Sequence, residues 1–325
     1  MAEAHDGFGC EEYRMWLSIP IFSAIVTPVA SLVVFLMNHQ RFDRGATVID
    51  YFQDLDAVVQ TALLEDIGPG DLTALLIPAD TSAKAMVIAR EAAVLCGSRW
   101  FETTYRCVDP SIKIDWHFRD KNVLAPESVV CTITGNARAI VTGERAALNF
   151  LQTLSGTATL TAQYVARLKN SNTRLLDTRK TIPGLRRAQK YAVHCGGGFN
   201  HRAGLYDGIL IKENHIAAAG SVTAAITRMQ QTGSAVPIEV EVERVAQIEE
   251  AIAAGADMLL LDNFSFDDMR QAVAVTNGRV QLEASGGFGF DDLAAVAATG
   301  VDFVSVGALT KHLHATDYSM RIINR

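Results

Sequence analysis

The sequence predicts an α/β chain in two parts. An N-terminal α+β unit precedes a run of parallel strands, built either as a sheet covered by helices or as a barrel. Three observations carry this. From Arg174 onward, short apolar runs alternate with alanine-rich helical stretches, a rhythm that demands parallel strands joined by crossovers. Polar residues collect where each apolar run stops, as they do at the carboxyl ends of barrel strands. Between Ala83 and Thr134 the pattern instead fits short antiparallel strands, separated by turns such as Asp109-Pro110 and Ala125-Pro126.

In chain order, apolar residues at helical spacing mark a helix over Val48–Asp66, broken by Gly68-Pro69-Gly70. Strands follow at Ala85–Ala89, Ile112–Trp116 and Val129–Thr134. Thr142 is placed as the N-cap of a long helix running towards Lys169. Six strand-like segments come next: Arg174–Asp177, Gly208–Lys212, Pro237–Val242, Asp257–Asp262, Val280–Ser285 and Asp302–Val306. Helices are expected over Ile216–Gln230, Arg244–Ala254, Phe266–Val275 and Asp291–Thr299.

Composition narrows the function. The 325 residues include 29 Lys+Arg against 36 Asp+Glu, a formal charge of −7, with 49% hydrophobic residues. That is a folded chain of about two domains. It lacks the overall basic balance that duplex nucleic acid requires, so no nucleic-acid partner is expected. Cys10, Cys96, Cys107, Cys131 and Cys195 show neither a CxxC pair nor zinc-ligand spacing, which suits reduced thiols in a cytoplasmic protein. One segment resists that reading. Met15–Gln40 contains no Asp, Glu, Lys or Arg and is long enough to cross a bilayer. Pro20 and Pro28 interrupt it, and it lacks the basic start of a signal peptide.

The strand ends hold the candidate chemistry. Asp177-Thr178-Arg179-Lys180, Lys212-Glu213-Asn214-His215, Glu241, Asp262-Asn263, Ser285-Gly286-Gly287 and Gly307 each close a strand, and in a barrel they would face one another. Strand alternation puts Glu239, Glu241 and Glu243 on one face, away from Val240 and Val242. Buried carboxylates of this kind require cations or a metal. The loop after Asp177 brings three cations, Arg179, Lys180 and Arg186, with Pro183 placed in the first turn of a helix. Arg145 falls in the first turn of the helix capped by Thr142, against the helix dipole, which implies an anionic partner from elsewhere. The glycines at 196–198 let Phe199-Asn200-His201-Arg202 reach over the site. Ser285-Gly286-Gly287 and Gly307 offer backbone N–H groups to a phosphate. His117, His194 and His314 show no ligand spacing and read as structural. The set is therefore an anion-binding rim (Arg145, Arg179, Lys180, His201, Arg202, Lys212), two acids (Glu241, Asp262) and a phosphate nest. It suits a phosphorylated sugar and an acidic partner, with Mg²⁺ held by carboxylates and phosphate oxygens.

Gly143–Gly156, Asp177–Arg186, Gly208–His215, Glu239–Glu243, Leu261-Asp262-Asn263 and Val301–His312 resemble the quinolinate phosphoribosyltransferase family, and the resemblance runs from about Asp50 to Arg325. It implies an N-terminal sandwich domain (47–156), an incomplete TIM-like barrel (157–309) and a C-terminal segment (310–325) that returns to the first domain. Residues 1–46 then form an atypical hydrophobic extension. It also implies transfer of phosphoribose from phosphoribosyl pyrophosphate to quinolinate with decarboxylation, as in NAD biosynthesis, in a homodimer whose sites are shared. By position, Arg145, Arg179, His201 and Arg202 would grip the carboxylates of quinolinate, with Arg145 supplied across the interface. Thr178 belongs to the same strand-end motif. Lys180 and Lys212 would lie towards the pyrophosphate, Glu241 and Asp262 at the ribose and Mg²⁺, and Ser285, Gly286, Gly287 and Gly307 at the 5-phosphate.

Rival readings are a transferase for nicotinate or another ring, a Schiff-base aldolase using Lys212 or Lys180, and a membrane-anchored binding protein. The surplus of cations favours a dicarboxylate over nicotinate. The uncharged stretch precedes the resemblance, so it is expected to be a non-family extension, with Met37 as an alternative start, rather than an anchor.

Overall fold

The computed structural model describes residues 49–324. The uncharged stretch Met15–Gln40 and the alternative start at Met37 lie outside the described residues. Helix α1 (Leu55–Ile67) begins later than apolar spacing suggested. The Phe52 N–H donates to Asp50 Oδ1 at 3.0 Å, an Asx turn that competes with helix.

The N-terminal unit comprises β1 (Ser82–Ala89), β2 (Ala93–Val94), α2 (Ser98–Val108), β3 (Lys113–Trp116), β4 (Val123–Leu124) and β5 (Val129–Asn136). A four-stranded antiparallel sheet has the order β12-β1-β5-β3, in which β12 (Tyr318–Asn324) brings the chain's end back beside β1. β2 and β4 form a separate pair. Alternate residues of β1, from Ala83 to Ala89, pack against Phe101 and Tyr105 of α2 and Ile140, Leu148 and Leu151 of α3 (Ala137–Arg167).

α3 starts well before Thr142. Its cap is Asn136, whose side chain accepts from Ala139 N, because β5 runs into the helix without a loop. Thr142 instead donates to Asp71 Oδ2 at 2.8 Å, while Asp71 Oδ1 caps the 3₁₀ turn Thr73–Leu76. Arg145 is thus well inside the helix, and the dipole argument for its anionic partner lapses. The other face of α3 packs on α1, on Trp100 and on Ala188, Ala192 and Cys195 of α4 (Arg186–Cys195). Cys96, Asp120 and Cys195 meet at this junction closely enough to share a metal ion. Asp120, however, already accepts from Gly97 N, Ser98 N and Tyr191 Oη, so the cluster is a latch between α2 and α4. Cys96, Cys107, Cys131 and Cys195 are free thiols.

The second unit is one parallel sheet in the order β7-β8-β9-β10-β11-β6. Its strands are β6 (Arg174–Leu176), β7 (Ile209–Ile211), β8 (Ile238–Val242), β9 (Met258–Asp262), β10 (Gln281–Ser285) and β11 (Phe303–Ser305). The barrel is open between β6 and β7. There, among the described residues, Phe199 bridges to β6, with its N–H on Leu175 O (2.8 Å) and its carbonyl accepting from Asp177 N (3.1 Å). Val240, Val242, Leu259, Leu261, Leu282, Ala284 and Val304 belong to the apolar layer shared with the surrounding helices, which leaves Glu239, Glu241, Leu260 and Glu283 for the opposite, inner face.

The expected helix over Ile216–Gln230 is two, α5 (Glu213–Ala219) and α6 (Val222–Gln231), split by Gly220 in the left-handed region and restarted by the Ser221 cap. α7 (Ala246–Ala254), α8 (Phe266–Thr276), α9 (Leu293–Ala297) and α10 (Ala308–Lys311) complete the layer. Glu243 lies past the end of β8 and is exposed, so two of the three alternating glutamates are inward, not all three. Among the described residues, no helix is long and apolar enough to cross a membrane.

Candidate active site

The site is assembled at the carboxyl ends of the parallel strands. After β6, the loop carrying Thr178, Arg179 and Lys180 is pinned at several points. Thr178 Oγ1 accepts from Lys180 N, and Thr310 Oγ1 donates to Lys180 O at 2.8 Å. Gln189, buried in α4, accepts from Ile182 N and donates to Thr310 O. Arg186 is a brace rather than a free cation: it donates to Thr181 Oγ1 and to Ala203 O. Pro183 sits in a turn ahead of α4, not in its first turn. Gly307, at the end of β11, meets the same loop. A Cβ there would stand 2.9 Å from Lys180 Cδ, so glycine lets the lysine stem lie across the strand end.

Lys212 is the N-cap of α5, and its N–H donates to His215 Nδ1 at 2.9 Å. Its half-buried ammonium pairs with Glu241 across the mouth. Burial pushes the Glu241 carboxyl up; Lys212 opposes this, and the nearby charge of Asp262 adds to it. Asp262 accepts from Asn263 Nδ2 at 2.8 Å. Asn263 holds a left-handed φ of 56° and donates its N–H to Ser285 O at 2.9 Å. Ser285 is in register with Asp262, and Gly286 (φ 148°) would place a Cβ 3.0 Å from Asn263 Cα. Asparagine adopts this left-handed conformation more readily than other side chains, so the chain can turn sharply after β9. Gly287 follows, exposed, at φ 75°.

The cations have fewer partners. Arg202 donates to Gly208 O at 3.1 Å. Burial disfavours its charged form, and the Arg179 guanidinium disfavours it further. Arg179 Nε is buried with no hydrogen-bond partner among the described residues. Two guanidiniums close enough for Arg202 to feel the Arg179 charge, one of them with an orphan donor, leave a strong demand for an anion.

Behind them lies a buried acid–base cluster. His201 Nε2 is 2.8 Å from Glu239 Oε2 and 3.5 Å from Glu283 Oε2. Burial disfavours the imidazolium, but Glu283 and Glu239 outweigh it and hold His201 up to about 9. In the observed geometry Nδ1 accepts from Arg202 N at 2.8 Å, so the ring's proton faces Glu239, and a second proton would have to displace the Arg202 N–H. Asp177 and Lys190, both fully buried, pair at 2.5 Å.

Arg179, Lys180, Arg202, Lys212, Glu241, Asp262, Ser285, Gly286, Gly287 and Gly307 are thus gathered at one mouth, with Thr178 in the supporting loop and His201 in the buried layer behind. Arg145 is not tied to them. It is exposed on α3, with no hydrogen bond or ion pair among the described residues.

A family model described as "Quinolinate phosphoribosyl transferase, N-terminal domain" matches residues 71–155, and one for the C-terminal domain matches residues 157–321. The chain belongs to the quinolinate phosphoribosyltransferase family. A probable nicotinate-nucleotide pyrophosphorylase [carboxylating] of Bacillus subtilis is 42% identical over 260 residues, covering 80% of this chain and 90% of that protein. A tobacco quinolinate phosphoribosyltransferase [decarboxylating] is 36% identical, covering 83% and 82%. The solved nicotinate-nucleotide pyrophosphorylase of Francisella tularensis is 45% identical with a TM-score of 0.82, covering 86% of this chain and 99% of that one.

Within this family member, the residues that sequence reading missed lie one layer below the mouth. Asp177 was visible as a strand end, but Lys190 is one cation on an ordinary amphipathic helix. Glu283 did carry a signal, since it alternates with Ser285 on a strand otherwise apolar at its centre.

Proposed function

We propose that this phosphoribosyltransferase family member transfers the phosphoribosyl group of phosphoribosyl pyrophosphate to quinolinate. The products are nicotinate mononucleotide, pyrophosphate and CO₂, in NAD biosynthesis. The observation that carries the reading is the Arg179–Arg202 pair, two neighbouring guanidiniums with an unsatisfied buried donor. A ligand with two adjacent carboxylates answers both charges, whereas one carboxylate leaves a cation uncompensated.

Pyrophosphate leaves C1 of the sugar as positive charge develops there. Lys180 and Lys212 lie where ammonium groups stabilise the departing oxygens, and Glu241 and Asp262 face the cationic sugar. The backbone at Ser285, Gly286, Gly287 and Gly307 receives the 5-phosphate. The pyridine nitrogen attacks C1, and its positive charge then stabilises the electron pair left on the adjacent ring carbon when the neighbouring carboxylate departs as CO₂; a proton from solvent completes that carbon. Arg179 and Arg202 hold the ring for that attack. The hard oxygen donors of Glu241 and Asp262, close enough for each to feel the other's charge, suit Mg²⁺ held largely through substrate and water. When bound, Mg²⁺ neutralises charge on the pyrophosphate.

Arg145, exposed and unpaired, fits a residue that completes the site of a second copy of the chain in a homodimer. We place the reaction in the cytoplasm, which the free thiols favour.

Equilibrium titration of the full chain with each pyridine acid tests the reading. Quinolinate should bind at least about tenfold more tightly than nicotinate, the equivalent of one charge-assisted contact. Equal affinities would contradict a dicarboxylate site.

A further inference from the structure

The barrel lacks strand pairing between β6 and β7, and the segment across that seam carries Arg202. Polar groups from several elements hold the segment in place. Asn200 Nδ2 donates to Asp177 Oδ2 (2.7 Å) and to Lys190 O (2.9 Å). The His201 N–H donates to Asp177 Oδ1 (2.9 Å), while Lys190 Nζ donates to His201 O (2.7 Å). The His201 ring is then met by Glu239 of β8 and Glu283 of β10, and its Nδ1 receives the Arg202 N–H. From there Arg202 crosses the seam to Gly208 O, next to β7.

We propose that Glu239 and Glu283, acting through the His201 ring, are positioning residues that fix Arg202 relative to Arg179 and so set the preference for a dicarboxylate. This rests on the reading of the mouth as a quinolinate site. The buried clamp does the work that pairing between β6 and β7 would do in a closed barrel.

Two details support the assignment. Among the described residues, Glu239 Oε1 and Glu283 Oε2 are both buried without a hydrogen-bond partner, which is costly for carboxylate oxygens and holds both acids to the donor they both face, the His201 ring. Glu239 Oε2, at 2.8 Å, is the nearer acceptor to the ring Nε2, and Glu283 Oε2 stands behind it at 3.5 Å. Glu239 is thus the acceptor for the ring N–H. The ring cannot turn without leaving a buried acceptor unmatched, and the Arg202 N–H follows the ring.

The test compares Glu239→Leu with Glu239→Gln in the full chain, since the amide oxygen of Gln still accepts from the ring. The Leu variant should raise the KM for quinolinate about tenfold, as expected for a lost buried hydrogen bond. Its kcat and its KM for phosphoribosyl pyrophosphate should stay within about threefold, and the preference for quinolinate over nicotinate should narrow. The Gln variant should remain within about threefold of the parent throughout. Glu283→Leu serves as a second variant with the same expected split, should Glu239→Leu fail to fold. Nitrogen-15 NMR of the His201 ring, which needs no substrate, should show the proton on Nε2 in the parent and the Gln chain and its loss in the Leu chain. A folded Leu variant with unchanged quinolinate KM, equal losses for Leu and Gln, or a parent ring protonated on Nδ1 alone would overturn the clamp. A parent chain that never turns over quinolinate would sink the functional reading, while the ring spectrum would still decide the clamp.

Discussion

Replacing Arg179 by alanine is expected to lower kcat/KM for quinolinate about 10²- to 10³-fold, mainly through KM, because one partner of a desolvated charge contact is lost. The parent protein holds Arg179 beside Arg202 at some electrostatic cost, with Nε buried and unmatched. Removing it relieves that repulsion, so the unfolding temperature should hold or rise slightly. The KM for phosphoribosyl pyrophosphate should stay within about twofold, since uniform binding of that substrate is untouched. Steady-state kinetics and a thermal melt check both halves. A fall in stability, or equal losses for both substrates, would mean that Arg179 braces the loop rather than gripping the ligand.

Arg145→Ala is expected to lose nearly all activity although, among the described residues, Arg145 makes no hydrogen bond or ion pair within its own chain. Its isolation on α3 is what makes the experiment decisive. Alone, the variant should fall by about 10² or more in kcat/KM. Mixed in equal amounts with Lys180→Ala and allowed to exchange, it should recover about a quarter of parental activity. Half of the dimers are then mixed, and each mixed dimer has one intact site. Verified mixed dimers that stay inactive would exclude a shared site.

The sequence was most legible where one residue's place follows from its neighbours. Val240 and Val242 against Glu239 and Glu241 gave the two faces of β8, and the strand-end polar clusters gave the mouth. It was least legible where distant segments compete for the same backbone. Thr142 has the chemistry of a cap, but Asn136 takes that role and Asp71 takes the threonine hydroxyl. Arg145 drew attention through a dipole argument that the earlier helix start removes, so its candidacy now stands on exposure and family resemblance. Glu243 shows the limit of alternation, which holds only as far as the strand does. Lys190 could not have been found from spacing, because its partners come from the loop just after β6 and from the seam.

The central claim is that the mouth handles two carboxylates and releases one of them. Its most direct test is turnover of quinolinate labelled in the carboxylate next to the ring nitrogen, with phosphoribosyl pyrophosphate and Mg²⁺, run beside nicotinate. The expected result is labelled CO₂ and nicotinate mononucleotide in equal amounts, dependent on phosphoribosyl pyrophosphate, with little product from nicotinate. Product from nicotinate at the same rate, or nucleotide formed with the label retained, would contradict it.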